Sequence, residues 1–305
     1  MYPISPHPSV GKLLSWIRKQ SDPIGGSDSV KPDFIGIGGG RSGTSWIYNC
    51  LYEHPQLCLP WKEINFFSRD DRFGKGFEWY ERHFRTCSRK SLTGEISVYL
   101  QSMEAPKRIF EYCPEVKLFV SLRDPIERAF SSYQNEIKAG LIDRSESFEA
   151  AVERRPILTE RGLYSEALER YLQFFPREQL LVLIYEDALE NPDRFIKTIF
   201  EFLNVDPDFT PSMLRKRVNV GGIPKSVLLD RVLNETAGVM RSLGMQKAMW
   251  AAKQLGIVGM IRGANVATQA SPITGEEKAQ LREFFSSDVK ALELLIDRDL
   301  SFWMN

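Results

Sequence analysis

The stretch GGGRSGTSW, residues 38–46, constrains the fold of this chain more than any other. It follows the apolar run DFIGI and leads into TSWIYNCLYEHP, where Trp46, Ile47, Cys50 and Leu51 recur at near-helical spacing before Pro55. A buried strand, a glycine loop and a helix in this order are the repeating unit of a parallel α/β sheet. Gly38 and Gly43 have the spacing of the phosphate loop G-x-x-x-x-G-K-[ST], but Thr44 stands where that motif has lysine. Backbone N–H groups and the positive end of the helix dipole converge at such a loop. Arg41, Ser42, Thr44 and Ser45 would add a guanidinium and three hydroxyls. The expected ligand is a tetrahedral oxyanion, bound without the lysine that serves the β- and γ-phosphates of a nucleoside triphosphate.

The rest of the chain repeats the alternation. KLFVSLRDP (117–125) reads as a second buried strand, with Asp124 as N-cap and Pro125 as first residue of the next helix. In that helix Ile126, Ala129, Phe130, Tyr133 and Ile137 form an apolar stripe, and Arg128, Ser131 and Asn135 fall on a different face. EQLLVLIYED (178–187) gives a third strand between two helical stretches, and Thr274 and Glu277 open the C-terminal helix with a capping box. The fold class that follows is α/β: a P-loop-like three-layer domain with a central parallel sheet flanked by helices. Residues 1–31, rich in Gly, Pro and Ser toward their end, read as a flexible leader, and residues 32–305 as a single domain.

Composition limits the partners. The chain carries 40 basic and 40 acidic residues, so no general basic field points to nucleic acid, and an anion site must be local. Cys50, Cys58, Cys87 and Cys113 include no C-x-x-C pair and no metal-ligand spacing, which suggests reduced structural cysteines in a cytoplasmic protein and no metal. There is no run of about 18 apolar residues, so no membrane span is expected. The Leu-, Met- and Trp-rich stretch 227–262 suits core-facing helices, or else an acceptor lid with peripheral membrane contact; the helical acceptor or lid region is placed at about 227–270.

GGGRSGTSW together with SLRDPIERAFSSYQNEIKAG resembles the sulfotransferases that use 3'-phosphoadenosine 5'-phosphosulfate, whose 5'-phosphosulfate loop and 3'-phosphate motif occur in this order. LPWKEINFFSRD, GEISVYL, GLYSEALERYLQFFPREQLLVLIYEDALENP and LREFFSSDVKALELLIDRDLSFW extend the resemblance over residues 33–302, nearest to the heparan-sulfate and bacterial carbohydrate-type branch. The resemblance implies that Gly43, Thr44 and Ser45, with Ser42, hold the 5'-phosphate. It puts Arg41 at the place of a lysine that stabilises the leaving phosphate, and Arg123 and Ser131 at the 3'-phosphate. It makes Glu63 the general base, against a reading of Lys62 and Glu63 as a surface pair. Ile96 stands where several relatives carry a lysine facing the acceptor, and Glu95 is equally a substrate ligand or a structural partner. RKRVNVGGIPKS (215–226) would close over the donor through Gly221 and Lys225. The acceptor would be a carbohydrate, a glycolipid or a small hydroxylated molecule. Two other classes stay open at this point: a Mg²⁺-dependent kinase or NTPase with a degenerate loop, and a non-catalytic nucleotide-binding protein.

Overall fold

The computed structural model describes residues 30–87, 91–216, 223–224, 266–268 and 273–305. Strands β1 (Phe34–Gly36), β2 (Leu57–Cys58), β3 (Leu92–Ile96), β4 (Lys117–Leu122) and β5 (Leu180–Ile184) form a parallel sheet in the order β2-β3-β1-β4-β5. In chain order the helices are α1 (Thr44–Glu53), α2 (Asp70–Phe73), α3 (Phe77–Glu81), α4 (Ala105–Tyr112), α5 (Pro125–Ala139), α6 (Phe148–Arg154), α7 (Ile157–Glu160), α8 (Ser165–Leu172), α9 (Tyr185–Glu190), α10 (Pro192–Leu203) and α11 (Gly275–Ile296).

Because a parallel sheet is covered on both faces, its strands are largely buried and alternate residues serve opposite cores. Ile35, Leu118 and Val120 pack with Ile109, Leu168 and Phe285 on one side. Phe34, Ile96 and Phe119 pack with Ile47, Leu51 and Ile199 on the other. Three layers result, as the alternation of strands and helices implied. Asp124 caps α5 as expected: Oδ1 accepts from the amides of Ile126 (2.8 Å) and Glu127 (3.3 Å), and Pro125 needs no partner for an N–H it lacks. The third strand is shorter than its apolar run, since Tyr185 already belongs to α9. There Glu186 accepts from the Asp124 amide, and Asp187 forms a two-pronged ion pair with Arg298. Strand β2, only two residues long, is too short to show any alternation in the sequence. Among the described residues no helix is long and apolar enough to cross a membrane.

The cysteines correct the expectation of four reduced thiols. Cys58 and Cys87 form a disulfide with Cα atoms 5.6 Å apart, joining β2 to the segment that follows α3. Their separation of 29 residues resembles no short motif, and only the fold brings them together. Cys50 and Cys113 are free and buried, and burial pushes the Cys113 thiol up to about 12.

Two stability measurements test this architecture. A Cβ at Gly94 would lie 2.4 Å from the fully buried Phe34 ring, so Gly94→Ala should lose about 1–3 kcal/mol in urea unfolding through overpacking. Closing a loop across a 29-residue separation restricts the unfolded chain by the equivalent of about 3–4 kcal/mol, so dithiothreitol should lower the unfolding midpoint of the wild type but not of Cys58→Ser/Cys87→Ser.

Candidate active site

The carboxyl ends of β1, β3 and β4 meet at one edge of the sheet, where an open α/β fold leaves room for a ligand. Between β1 and α1 the backbone is left-handed at Gly38 (φ 41°), Arg41 (φ 74°) and Gly43 (φ 75°), which folds the loop tightly. A Cβ at Gly43 would stand 2.5 Å from the Tyr185 ring, so the close approach and the φ angle both select glycine. The Ser42 hydroxyl is fully buried and donates to the Gly39 carbonyl (2.8 Å). The Ser42 carbonyl accepts from Ser121 Oγ at the end of β4 (2.8 Å). The Ser42 hydroxyl holds the loop from inside, where the loop sequence had suggested that it faces the ligand. Gly43 caps α1 without a side-chain bond, and the first turn has no acidic residue, so the positive end of the helix remains open to an anion.

The ammonium that the loop lacks at position 44 arrives from another segment. Lys62 Nζ donates to Thr44 Oγ1 (2.8 Å) and Ser45 Oγ (3.0 Å), and it lies 3.3 Å from Glu63 Oε1. The Lys62 side chain is 16% exposed and that of Glu63 43%. Burial lowers the pKa of Lys62, Glu63 opposes that shift and Arg41 adds to it. The pair is therefore not a surface decoration: its cation sits on the anion loop and its carboxylate opens to solvent. The sequence held a signal for Lys62, since a phosphate-type loop without lysine needs a cation from elsewhere and KEINFF carries one beside the candidate base.

Arg41 reaches the other way. Its Nε donates to Ser131 Oγ (3.0 Å) and its Nη1 to Asn135 Oδ1 (3.2 Å), both on α5. Arg123, one residue before the Asp124 cap, pairs with Glu127 (3.2 Å) and lies 5.4 Å from the centre of the Tyr185 ring. Buried Arg128 donates to the Leu158 carbonyl and to Ser132 Oγ (3.3 Å), while its Nε has no partner. Burial lowers the pKa of Arg41, with nearby Arg123 adding to the shift and Glu63 opposing it. Arg128 is lowered by burial first and then, among its neighbours, by Arg161, Arg41 and Arg123. A chain without net charge thus gathers cations at one edge of its sheet, and Arg41, Arg123, Ser131, Thr44, Ser45 and Glu63 belong to that one edge.

Glu63 and Asn65 have left-handed backbones (φ 67° and 49°), a conformation that costs a residue such as glutamate about 1–2 kcal/mol and that asparagine adopts more readily. The Glu63 amide donates to the Ile96 carbonyl (3.1 Å), and Arg72 donates to the carbonyls of Glu63 and Ile64. Ile96 is 1% exposed and packs in the core, so this position does not face an acceptor. Glu95 is likewise buried and accepts from Tyr80, Ser97 and Tyr99, which decides for the structural of its two expected roles. His54 caps the end of α1 against the Asp206 carbonyl, and His83 packs between Trp61 and Trp79. Gly221, Lys225 and the stretch 227–262 lie outside the described residues. Strand β6 (Ile223–Pro224), which Gly221 and Lys225 flank in the sequence, pairs antiparallel with β7 (Val266–Thr268) and lies against α5.

Comparison with known proteins gives the family. Residues 31–220 match the family described as Sulfotransferase domain. Over 190 residues the chain is 28% identical to heparan sulfate glucosamine 3-O-sulfotransferase 5 of Homo sapiens, covering 58% of this chain and 54% of that protein. Over 206 residues it is 31% identical to bifunctional heparan sulfate N-deacetylase/N-sulfotransferase 4 of Mus musculus, covering 59% of this chain and 23% of that protein. The chain therefore spans about half the length, or less, of these curated relatives. A solved sulfotransferase from Alicyclobacillus acidocaldarius shares the fold at a TM-score of 0.66 and 24% identity, covering 90% of this chain and all of that one. The matched segment contains the anion loop, the Lys62–Glu63 pair and α5, and the chain belongs to the sulfotransferase domain family.

Proposed function

We propose that this chain transfers a sulfuryl group from 3'-phosphoadenosine 5'-phosphosulfate to a hydroxyl or amine of a carbohydrate acceptor, with Glu63 as general base. The observation that carries the proposal is the position of Lys62: one ammonium touches the hydroxyls of the anion loop and the carboxylate of the candidate base. Donor binding and proton abstraction thereby share one small volume.

The residues present fit such a donor. The open N-terminus of α1, with the Thr44 and Ser45 hydroxyls and the Lys62 ammonium, suits a 5'-phosphosulfate. Arg123 and Ser131 suit a 3'-phosphate; Arg41, expected at the leaving phosphate, donates to Ser131 on that side, and buried Arg128 adds positive field. When bound, the donor supplies a sulfuryl group already attached to a phosphate leaving group. With its ammonium on the Thr44 and Ser45 hydroxyls, Lys62 would offset negative charge growing on a phosphate held there, and such fixed cations in a water-poor site are commonly the largest catalytic contribution. Arg41 keeps its charge at any ordinary pH and so holds anions without donating a proton. The carboxylate of Glu63, 43% exposed, can take the proton of an incoming hydroxyl or amine. A carbohydrate acceptor is supported by the names of the relatives, which act on glucosamine of heparan sulfate. The Cys58–Cys87 disulfide favours an oxidising compartment over the reducing cytoplasm expected from cysteine spacing.

Isothermal titration with adenosine 3',5'-bisphosphate and turnover of radiolabelled donor in an acceptor fraction separate binding from chemistry. Glu63→Ala should lower turnover by about 10²–10⁴ with bisphosphate affinity retained; full turnover would remove Glu63 from the mechanism. Arg123→Ala should weaken the bisphosphate by about 10- to 100-fold, the loss of a charge-assisted hydrogen bond, and binding should persist in EDTA. Binding that needed Mg²⁺ and ATP would instead point to an NTPase. Identification of the labelled product distinguishes a carbohydrate from a glycolipid or a small hydroxylated metabolite.

A further inference from the structure

We infer that Glu95 is the positioning residue of the base-bearing loop: it sets the direction of two hydroxyl groups that clamp the backbone immediately after Glu63. The inference rests on the reading of Glu63 as the base. Ser97 Oγ donates to Glu95 Oε2 (2.6 Å) and accepts from the Asn65 amide (3.0 Å). Tyr99 Oη donates to Glu95 Oε1 (2.8 Å) and accepts from the Phe66 amide (2.9 Å). Tyr80 Oη also donates to Oε1 (2.8 Å), but this bond ties Glu95 to α3 rather than to the loop.

A hydroxyl has one proton, and an ionised carboxylate only accepts. The amides of Asn65 and Phe66 can only donate, so the hydroxyls of Ser97 and Tyr99 present lone pairs to them and give their protons to Glu95, which accepts both. Polarised chains of this kind strengthen each member in a buried setting. The backbone of Val98 also donates to Asn65 Oδ1 (3.0 Å), and the Glu63 amide bonds Ile96, so the loop is held at residues 63, 65 and 66. These are the bonds that maintain the left-handed backbone of Glu63 and Asn65. The amides of Ser97 and Tyr99 bond the carbonyls of Gly36 and Ile37, which lead into the anion loop. One segment thus holds the base loop and the donor loop in register. Burial raises the pKa of Glu95; its three hydroxyl donors and nearby Arg72 oppose that shift, and Arg72 itself grips the carbonyls of Glu63 and Ile64. With Gln in place of Glu95, the amide nitrogen would donate to one of the hydroxyls and leave that hydroxyl's proton without its acceptor.

Ser97→Ala, Tyr99→Phe and Tyr80→Phe each remove one donor to Glu95, but only the first two also remove an acceptor for the loop. Turnover is read as label leaving the radiolabelled donor, into an acceptor fraction or into water, beside bisphosphate affinity and melting temperature. Ser97→Ala and Tyr99→Phe should lower turnover by about 10- to 100-fold with bisphosphate affinity unchanged, because a displaced base loses that much. Tyr80→Phe should lower the melting temperature and leave turnover at the wild-type level. In a double-mutant cycle, Ser97→Ala should add no further loss to Glu63→Ala. Turnover falling in step with melting temperature in all three variants, or an equal Ser97→Ala loss in both backgrounds, overturns the inference. A fully active Glu63→Ala overturns the base reading on which it stands, whereas an inactive Glu63→Ala beside fully active Ser97→Ala and Tyr99→Phe overturns the positioning role alone.

Discussion

The position of the Lys62 ammonium, between the Thr44 and Ser45 hydroxyls and the Glu63 carboxylate, is the contact on which the site depends. A phosphate loop with its own lysine carries its charge on the helix that follows the glycines. Here the charge comes from beyond β2, so the loop is complete only when the segment after β2 docks against it. Correct folding of that segment and completion of the anion site become one event. The same docking brings a carboxylate within 3.3 Å of the cation, where it opposes the burial that lowers the pKa of Lys62.

Much of the fold was legible because the chain repeats one short-range grammar. Apolar runs ending at glycine or Asp-Pro gave β1, β4 and the starts of α1 and α5, and Asp124 performs the cap that its position before Pro125 required. The end of β5 was not legible: LIYED is apolar or β-compatible through Tyr185, and what turns it into α9 is the tertiary bonding of Glu186 and Asp187 to distant partners. The disulfide was hidden for the same reason, since Cys58 lies on an edge strand that local pattern does not reveal.

The site divides along the same line. The residues that spacing picked out in the glycine loop and after the strand-to-helix turn, Arg41, Ser131 and Thr44, lie at one edge. Side-chain direction was not in the spacing. Ser42 points into the loop and not out of it, Arg41 turns toward α5, and the cation above Thr44 proves to be Lys62. Glu95 offered a carboxylate near the expected acceptor, yet a strand's alternation alone cannot tell an inward carboxylate with three hydroxyl donors from an outward one.

The excursion that carries Lys62 and Glu63 then has a physical problem that the disulfide answers. Residues 59–86 leave the sheet at β2, whose two residues pair only with Leu92 and Thr93, and such an edge strand is a weak anchor. The same excursion must hold two left-handed residues against their preference and present Lys62 to a loop on another strand. A covalent link between Cys58 and Cys87 closes the excursion at its two ends, and within it lie Lys62, Glu63, Arg72 and Tyr80. Hydrogen bonds donated by the loop amides to Ile96, Ser97 and Tyr99 then fix the interior of a loop whose ends cannot separate. Chain entropy is restricted by the disulfide in the unfolded state and local strain is resisted by the buried network in the folded one, so the two devices act on different sides of the folding equilibrium and do not replace each other.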